Sequence, residues 1–529
     1  MDWPDLITQL ANPAAFPCAP RTVEVRHTHI SVVYMTDEFV YKVKKPVDFG
    51  FLNFLTLEDR LKYCEAEVKL NSRLAPGVYL GVVPITFGRD GPRFEGEGLP
   101  VEWAVKMRRL PDDATLAARL AKGELSDATF ARLGQAIAQF HRNAPGGPSI
   151  ERYGSFAVIA HNSRENYQQS RPHIGTTISK TVWSRLTAAN DRQLERLSPL
   201  MESRAKNGMT RDVHGDLHLD HVYLFPDRAP PQDMLILDCV EFNDSYRCSD
   251  VVADMAFLAM DLIFHDQRDL MRSFVEAYFE KSGDGDGRKL LDFYVAYRAA
   301  VRGKVEGLLA LAAEAPADKR EAALKNARAH WLVALGALEA PARRPALVMT
   351  SGLPGSGKSR IANDLSQQAG FVRVVSDVVR KELAGLSPTS SAKTGFGEGI
   401  YTAEWNARTY GECLRRAEEL LFEGARVVVD ASFREESRRL EFMDLAARMG
   451  VPCILFHRTA PEEVVRERLS RRGPTSISDA DWAISSESQK RWQAASKRVA
   501  GATVEIPHTA EKHEPLRLAT EALRMAGLF

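Results

Sequence analysis

Cysteine is scarce in this chain, and the way it is scattered excludes several classes of protein. Six cysteines among 529 residues, Cys18, Cys64, Cys239, Cys248, Cys413 and Cys453, form no CxxC pair and match no metal-ligand spacing. Neither a disulfide framework nor a structural zinc site is therefore expected, and the thiols read as reduced and structural. Charge of one sign is not in excess, since Lys plus Arg and Asp plus Glu number 70 each. A neutral chain has no net field to draw in nucleic acid or an anionic membrane surface, so a nucleic-acid partner stays possible only through a local basic patch and is not favoured. No apolar run reaches membrane-spanning length, and the opening MDWPDLITQL lacks a basic segment followed by an apolar one. The expectation is a cytoplasmic protein with no membrane partner. Repeats and low-complexity tracts are missing too, and a chain of this length should form two or three domains.

Against that background one segment stands out. Residues 352–359 run Gly352, Leu353, Pro354, Gly355, Ser356, Gly357, Lys358, Ser359, and the apolar stretch 346–349 leads in as a strand. This is a complete P-loop. Its glycines let backbone N–H groups converge on phosphates, Lys358 brings a point charge to the β- and γ-phosphates, and Ser359 offers a hydroxyl to Mg²⁺. A chance Gly/Ser turn rarely also supplies Lys-Ser and a preceding strand. ATP and Mg²⁺ are the cofactors this pattern implies. Just before it, residues 339–345 are rich in Pro, Ala and Arg, which places a linker at 341–345 between a domain at 1–340 and a P-loop domain at 346–529. Beyond the P-loop, strand-like segments at 372–375, 425–429 and 452–457 alternate with helices, the rhythm of a parallel sheet covered on both faces.

Within that α/β/α domain three further features carry chemistry. Asp430 ends a valine run, where a carboxylate can orient Mg²⁺ and its water, although many strands end in Asp merely to cap a helix. Asp377 and Arg380 follow the second strand one helical turn apart, so both project to the end of the sheet where ligands bind. A carboxylate with an arginine suits accepting a hydroxyl proton and holding a polar acceptor; the bland alternative is an N-cap with a surface arginine. Arg466, Arg468, Arg471 and Arg472 crowd a helix end before Gly473 and Pro474. By default such a run is a solvated face, but a hinged basic segment can also close on a transferring phosphoryl group.

Taken together, GLPGSGKS, SDVVRKEL, VVVDASF and the pair Arg468/Arg472 resemble the small P-loop kinases related to zeta toxins and gluconate kinases and the kinase domain of polynucleotide kinases, over about residues 346–529. The resemblance implies Lys358 and Ser359 as phosphate and Mg²⁺ ligands, Asp430 as the metal carboxylate, Asp377 as general base, Arg380 as acceptor-binding residue and Arg468 with Arg472 as the lid. It does not name the acceptor.

The N-terminal part has its own pattern. A hairpin is expected from 28–34 and 39–43 around Thr36-Asp37-Glu38, a helix over 57–74, and strands at 81–87 and 101–107 separated by a turn at 88–98. Mainly helical sequence follows, interrupted by a strand-and-loop patch at 213–242, and it closes in one long helical stretch over 290–338. In the patch, His214-Gly215-Asp216 is followed twenty-two residues later by the apolar-flanked Asp238. Over about residues 20–335 this resembles aminoglycoside phosphotransferases and the wider protein-kinase-like fold, a bilobal α+β domain. The resemblance implies that Asp216 positions or deprotonates an acceptor hydroxyl and that Asp238 binds Mg²⁺. It further implies that Lys42 contacts the α/β-phosphates, with Glu67 as its ion-pair partner. Lys44 and Glu65 compete for those last roles, because Lys42 and Lys44 share one face of a strand. One departure is notable: the family's metal-binding Asn, five residues after the catalytic Asp, is His221 here. Imidazole can ligate metal, but Mg²⁺ prefers oxygen, so this lobe reads as a kinase of altered metal use, a slow kinase or a nucleotide-binding pseudokinase.

The expected function is an ATP-dependent phosphotransferase whose P-loop domain acts on a hydroxyl of a small-molecule acceptor. A regulatory nucleotide switch with little transfer, and a 5′-hydroxyl polynucleotide kinase, are the alternatives. The whole arrangement resembles bacterial fusions of an aminoglycoside phosphotransferase-like domain with an AAA-type P-loop domain.

Overall fold

The computed structural model of the chain describes residues 3–50, 52–89, 91–390, 397–471, 477–511 and 513–529. They form two compact units: Met1–Ile159 with Ser198–Leu262 and Asp269–Leu291, and Ala160–Leu197 with Ile263–Arg268 and Asp292–Phe529. The limits of these units do not fall at the 341–345 linker. Helical segments from before the linker join the P-loop unit because they pack on it closely: a Cβ on Gly424 would lie 3.0 Å from both Val182 and Leu335, and one on Gly450 would lie 2.7 Å from Val333. Arg185 adds a polar clamp, pairing with Glu339 and donating to the Gly424 carbonyl at 2.6 Å.

The first unit is built on an antiparallel sheet of β1 (Glu24–His27), β2 (Ser31–Met35), β3 (Phe39–Lys44), β4 (Tyr79–Gly88), β5 (Gly91–Phe94) and β6 (Pro100–Arg108), in the order β1-β2-β3-β6-β4-β5. The stretch expected as a turn at 88–98 thus contains a strand. Phe94 anchors it, stacking on Phe16 at 4.7 Å and meeting Tyr41 at 4.6 Å in a buried aromatic cluster. The helix Leu57–Asn71 opens on Thr56, whose hydroxyl accepts the Asp59 N–H, and it ends three residues before the expected limit. It turns Glu67 inward. Downstream, β7 (Thr210–Asp212), β8 (Val222–Leu224), β9 (Met234–Ile236) and β10 (Cys248–Asp250) pair as β7 with β10 and β8 with β9. These two short ribbons hold the loops that carry Asp216 and Asp238. Behind them, the helix Val251–Phe264 is apolar nearly all round and accordingly buried, with Asp254 and Asp261 as its polar exceptions.

In the second unit the sheet is parallel, in the order β12-β13-β11-β14-β15, from β11 (Ala346–Ser351), β12 (Phe371–Val375), β13 (Arg426–Asp430), β14 (Cys453–Arg458) and β15 (Thr503–Ile506). Every residue of β11 and β13 is buried, and Val348 and Val428 pack with Ile361, Leu365 and Leu523 in one core. Each such side chain contributes ~1.5–3 kcal/mol relative to exposure, which makes β11 a firm mount for the loop after it. The sheet and its flanking helices have the expected α/β/α class; the short edge strand β15, polar at Thr503 and Glu505, escaped the sequence reading. The stretch 290–338 is two helices, Leu291–Leu311 and Ala317–Leu338, because Pro316 removes a donor and restricts the residue before it. No helix among the described residues is long and apolar enough to cross a membrane.

Candidate functional site

The loop 352–357 bridges β11 and the helix Lys358–Ala369. Gly352, Gly355 and Gly357 adopt φ of 141°, 86° and 101°, conformations that side chains oppose. Space is equally exacting: a Cβ on Gly352 would stand 2.4 Å from the Arg458 carbonyl oxygen and 2.7 Å from Ser356 Oγ. The Gly352 N–H is tied to the Ser432 carbonyl at 3.2 Å, joining the loop to the chain just after β13. Ser356 Oγ is buried without a hydrogen-bond partner, and among the described residues no carboxylate pairs with the half-buried Lys358. A wrapped backbone at a helix N-terminus with a lysine and a serine at its first turn fits the phosphates of a nucleotide and a magnesium ion.

Two arginines flank this cradle. Arg468 donates to the carbonyls of Gly355 at 3.2 Å and Ser356 at 3.0 Å, so the lid residue implied by the sequence lies directly against the P-loop. Arg472 lies outside the described residues. Arg458, which sequence reasoning missed, ends β14 and is buried; its guanidinium donates to the Ile506 carbonyl at 2.9 Å, while its own carbonyl packs on Gly352. Burial, with Arg468 and Arg360 nearby, pushes its pKa down from the usual arginine value. Nothing in the local pattern around 458 sets it apart, since it reads as one more strand-end residue.

At the same sheet edge, Asp430 is buried and accepts from Thr350 Oγ1 at 3.3 Å, the residue opposite it on β11. Arg373 on β12 reaches Asp430 at 3.5 Å and Asn363 at 3.3 Å, so the acidic group already faces a cation. Just beyond, Phe433 is held at φ 47°, with its N–H donated to Tyr410 Oη at 3.1 Å, a strained turn of the kind found at ligand sites. Asp377 is the second residue of the helix Ser376–Leu383, which follows β12 without a break. It is half-buried, and it acts on Tyr401: burial first, then Asp377 and a 2.8 Å bond to Asp479, raise the Tyr401 phenol above its usual value. Arg380 is buried, donates to the Ile400 carbonyl at 2.8 Å and lies over the Tyr401 ring at 4.9 Å, leaving its Nε without a partner. Asp377 and Arg380 therefore both lie beside Tyr401. Lys381, fully buried, ties the helix Ser376–Leu383 to the segment after the arginine-rich helix by donating to the Ile477 carbonyl at 2.7 Å and pairing with Asp479 at 3.4 Å.

The first unit assembles a second site. Lys42 Nζ lies 2.9 Å from Glu67 and 2.7 Å from Asp238, while Lys44, wholly buried, contacts Glu67 at 2.7 Å and also pairs with Glu241. Both lysines thus use Glu67, but only Lys42 extends to Asp238; Glu65 is exposed on the outer face. Burial alone would lower Lys42 and raise Glu67, yet Asp238 and Glu67 push the lysine well up and the two lysines pull the glutamate down. Asp238 sits just past β9 at φ 64°, its N–H donated to Tyr79 Oη at 3.3 Å. The loop of Asp216 is braced from beneath. Asp254 accepts the Gly215 N–H at 2.7 Å, and His214 donates Nε2–H to the Leu237 carbonyl at 2.9 Å while Nδ1 accepts the Asp216 N–H at 3.2 Å. Burial keeps His214 neutral, with its pKa down at about 4. Burial would also raise Asp216, but His218, then His221, hold it far below the usual carboxylate range. His221 stands between the two aspartates, 3.6 Å from Asp216 and 3.7 Å from Asp238.

Residues 347–497 match the family model of an AAA domain. An uncharacterized protein of Mycobacterium tuberculosis is 32% identical over 460 residues, covering 87% of this chain and 88% of its own. Among solved structures, a choline/ethanolamine kinase family protein from Mesorhizobium loti aligns with 63% of this chain and 98% of its own, at 13% identity and a TM-score of 0.37. A gluconokinase from Sinorhizobium meliloti aligns with 35% and 95%, at 19% identity and a TM-score of 0.25.

Proposed function

The chain belongs to the family of that mycobacterial protein, and on this premise we propose that it is an ATP-dependent phosphotransferase whose transfer centre is the P-loop domain. The observation that supports this most is the convergence of Lys358, Asp430 and Asp377 at one edge of a parallel sheet, the edge where open α/β sheets bind ligands. Lys358 takes up charge on the γ-phosphate as it transfers, and Arg468 and Arg458 add cationic surroundings to the loop. Ser359 and Asp430 would hold a magnesium ion, which when bound would supply neutralisation of phosphate charge. Asp377 accepts the proton of the attacking hydroxyl, and Arg380, held over the Tyr401 ring, orients the acceptor. The grouping of Asp377, Arg380 and Tyr401 is polar and aromatic, which suits a small polyhydroxylated or anionic molecule.

The N-terminal lobe is a second nucleotide site in this reading, with Lys42, held by Glu67, on the phosphates, Asp238 on the metal and Asp216 beside the acceptor position. His221 favours a pseudokinase or a kinase of altered metal use there, so control of the P-loop domain by this lobe is the second reading. The direct test is a metabolite mixture incubated with labelled ATP and the full chain, scored by mass for phosphorylated products. A product that forms with the wild type and disappears in Lys358→Ala supports the assignment; equal product from that variant removes it.

A further inference from the structure

The pair of histidines around Asp216 is the part of the molecule that an ordinary magnesium kinase site leaves unexplained. One donor atom from each of Asp216, His218 and His221 lies within 4.8 Å of the other two. Asp216 Oδ2 is 3.6 Å from His218 Nε2, and His221 Nε2 is 3.7 Å from Asp238 Oδ2. Two donors on one ion with bonds of about 2.0–2.2 Å stand about 2.8–4.2 Å apart, so the Asp216–His218 pair and the His221–Asp238 pair each fall within that span.

The orientation of His221 points the same way. Its Nδ1 lies 2.9 Å from the backbone carbonyl oxygen of Asp216, which can only accept, so Nδ1 carries the hydrogen. The lone pair is then on Nε2, directed at Asp238. A ring fixed by an N–H bond to a carbonyl, with its other nitrogen turned into a polar pocket, is how metal-binding histidines are held. The His218 and His221 rings lie 3.8 Å apart between centroids, which brings two imidazoles to one carboxylate. That donor set does not suit Mg²⁺, which takes oxygen ligands and keeps its waters; two imidazoles with a carboxylate select Zn²⁺, Co²⁺ and similar ions.

We propose that Asp216, His218 and His221, with Asp238 on the far side of His221, form a site for a nitrogen-preferring divalent cation of the Zn²⁺ or Co²⁺ type. An ion there engages the Asp216 carboxylate, so the lobe would hold nucleotide with its acceptor-side carboxylate occupied. That consequence rests on the nucleotide reading of the lobe; the binding itself does not.

The test uses the untagged full chain, stripped of metal by a chelator and titrated with Co²⁺ and Zn²⁺ in millimolar Mg²⁺, read by equilibrium dialysis and by the visible absorption of bound Co²⁺. The expected result is one ion per chain that Mg²⁺ does not displace, weakened at least about tenfold in both His218→Ala and His221→Asn. Circular dichroism and melting check that the variants fold, and His218→Gln replaces His218→Ala if the latter does not. Unchanged binding in either variant, or displacement by Mg²⁺ at comparable concentration, overturns the proposal. Transfer by the P-loop domain is measured on the same samples: its absence would sink the functional assignment and leave the metal site standing.

Discussion

In the proposed reading the two candidate sites solve one problem, placing a lysine at a phosphate, by opposite means. At the P-loop the work is done by backbone: three glycines at positive φ wrap a loop onto a helix start, and Lys358 has no carboxylate partner among the described residues. In the N-terminal lobe it is done by side chains. Lys42 is held by Glu67 and by Asp238, which lies 196 residues further along the chain. A site made of backbone conformation is compact in sequence and hard to alter without losing it. A site made of distant side-chain pairs can change one member, as at His221, while the rest persists. The lobe with the altered member is therefore where a change of metal or loss of transfer is to be sought.

Paired substitutions break or sharpen this contrast. The largest effect is expected from Lys358→Ala, which should lower ATP turnover by about a hundred- to a thousand-fold, while Lys42→Ala leaves turnover at the P-loop within about threefold, measured by ADP release. Equal losses would mean that the two sites are not separable. Next comes Glu67→Ala, which removes the carboxylate shared by Lys42 and the buried Lys44 and leaves each lysine one acidic partner, Asp238 or Glu241. It should destabilise the N-terminal unit by about 3–5 kcal/mol in urea unfolding, whereas Lys358→Ala, at a half-buried lysine with no partner carboxylate among the described residues, should cost less than about 1 kcal/mol. Arg458→Leu, which leaves the apolar stem but removes the guanidinium, should weaken binding of a fluorescent ATP analogue by about tenfold, seen in titration, with no effect on the metal titration of the other unit.

The smallest effect concerns pH. In the second unit His330 is buried, its Nδ1–H is donated to the Asn326 carbonyl at 2.9 Å and its ring stacks on Phe264 at 4.1 Å. Burial first, helped by Arg302, lowers its pKa to about 3. A folded pKa below the unfolded one means that stability is full above about pH 6.5 and falls as pH drops from there toward 3, because only the unfolded chain takes up the proton. His330→Gln should flatten that slope in thermal melts of the full chain between pH 7 and 4. The same sign holds for His214 in the first unit, so this variant should remove only part of the dependence.

What was legible in the sequence tracks how local each feature is. The parallel-sheet class, the P-loop and the hairpin of Lys42 follow from contiguous patterns, and they stand in the fold. The edge strands β1, β5 and β15 were missed because short exposed strands carry little alternation; β5 is fixed by Phe94 reaching an aromatic cluster, which no window of neighbours reveals. The break at Pro316 was written in the sequence and was overridden by the helical periodicity around it. The packing of helices from before the linker onto the parallel sheet has no local sign at all, since it depends on bare glycines at 424 and 450 meeting distant side chains. The choice between Lys42 and Lys44 was likewise beyond periodicity. Only the third dimension shows Lys42 touching Asp238 while Lys44 is sealed in with Glu241.

The most direct measurement compares Asp377→Asn with Asp216→Asn for transfer of labelled phosphate from Mg·ATP to whichever hydroxyl compound the mixture screen identifies. If the P-loop domain is the transfer centre, Asp377→Asn loses about a hundred- to ten-thousand-fold in rate and Asp216→Asn retains it. Retention by Asp377→Asn with loss in Asp216→Asn would place the chemistry in the N-terminal lobe and contradict the assignment.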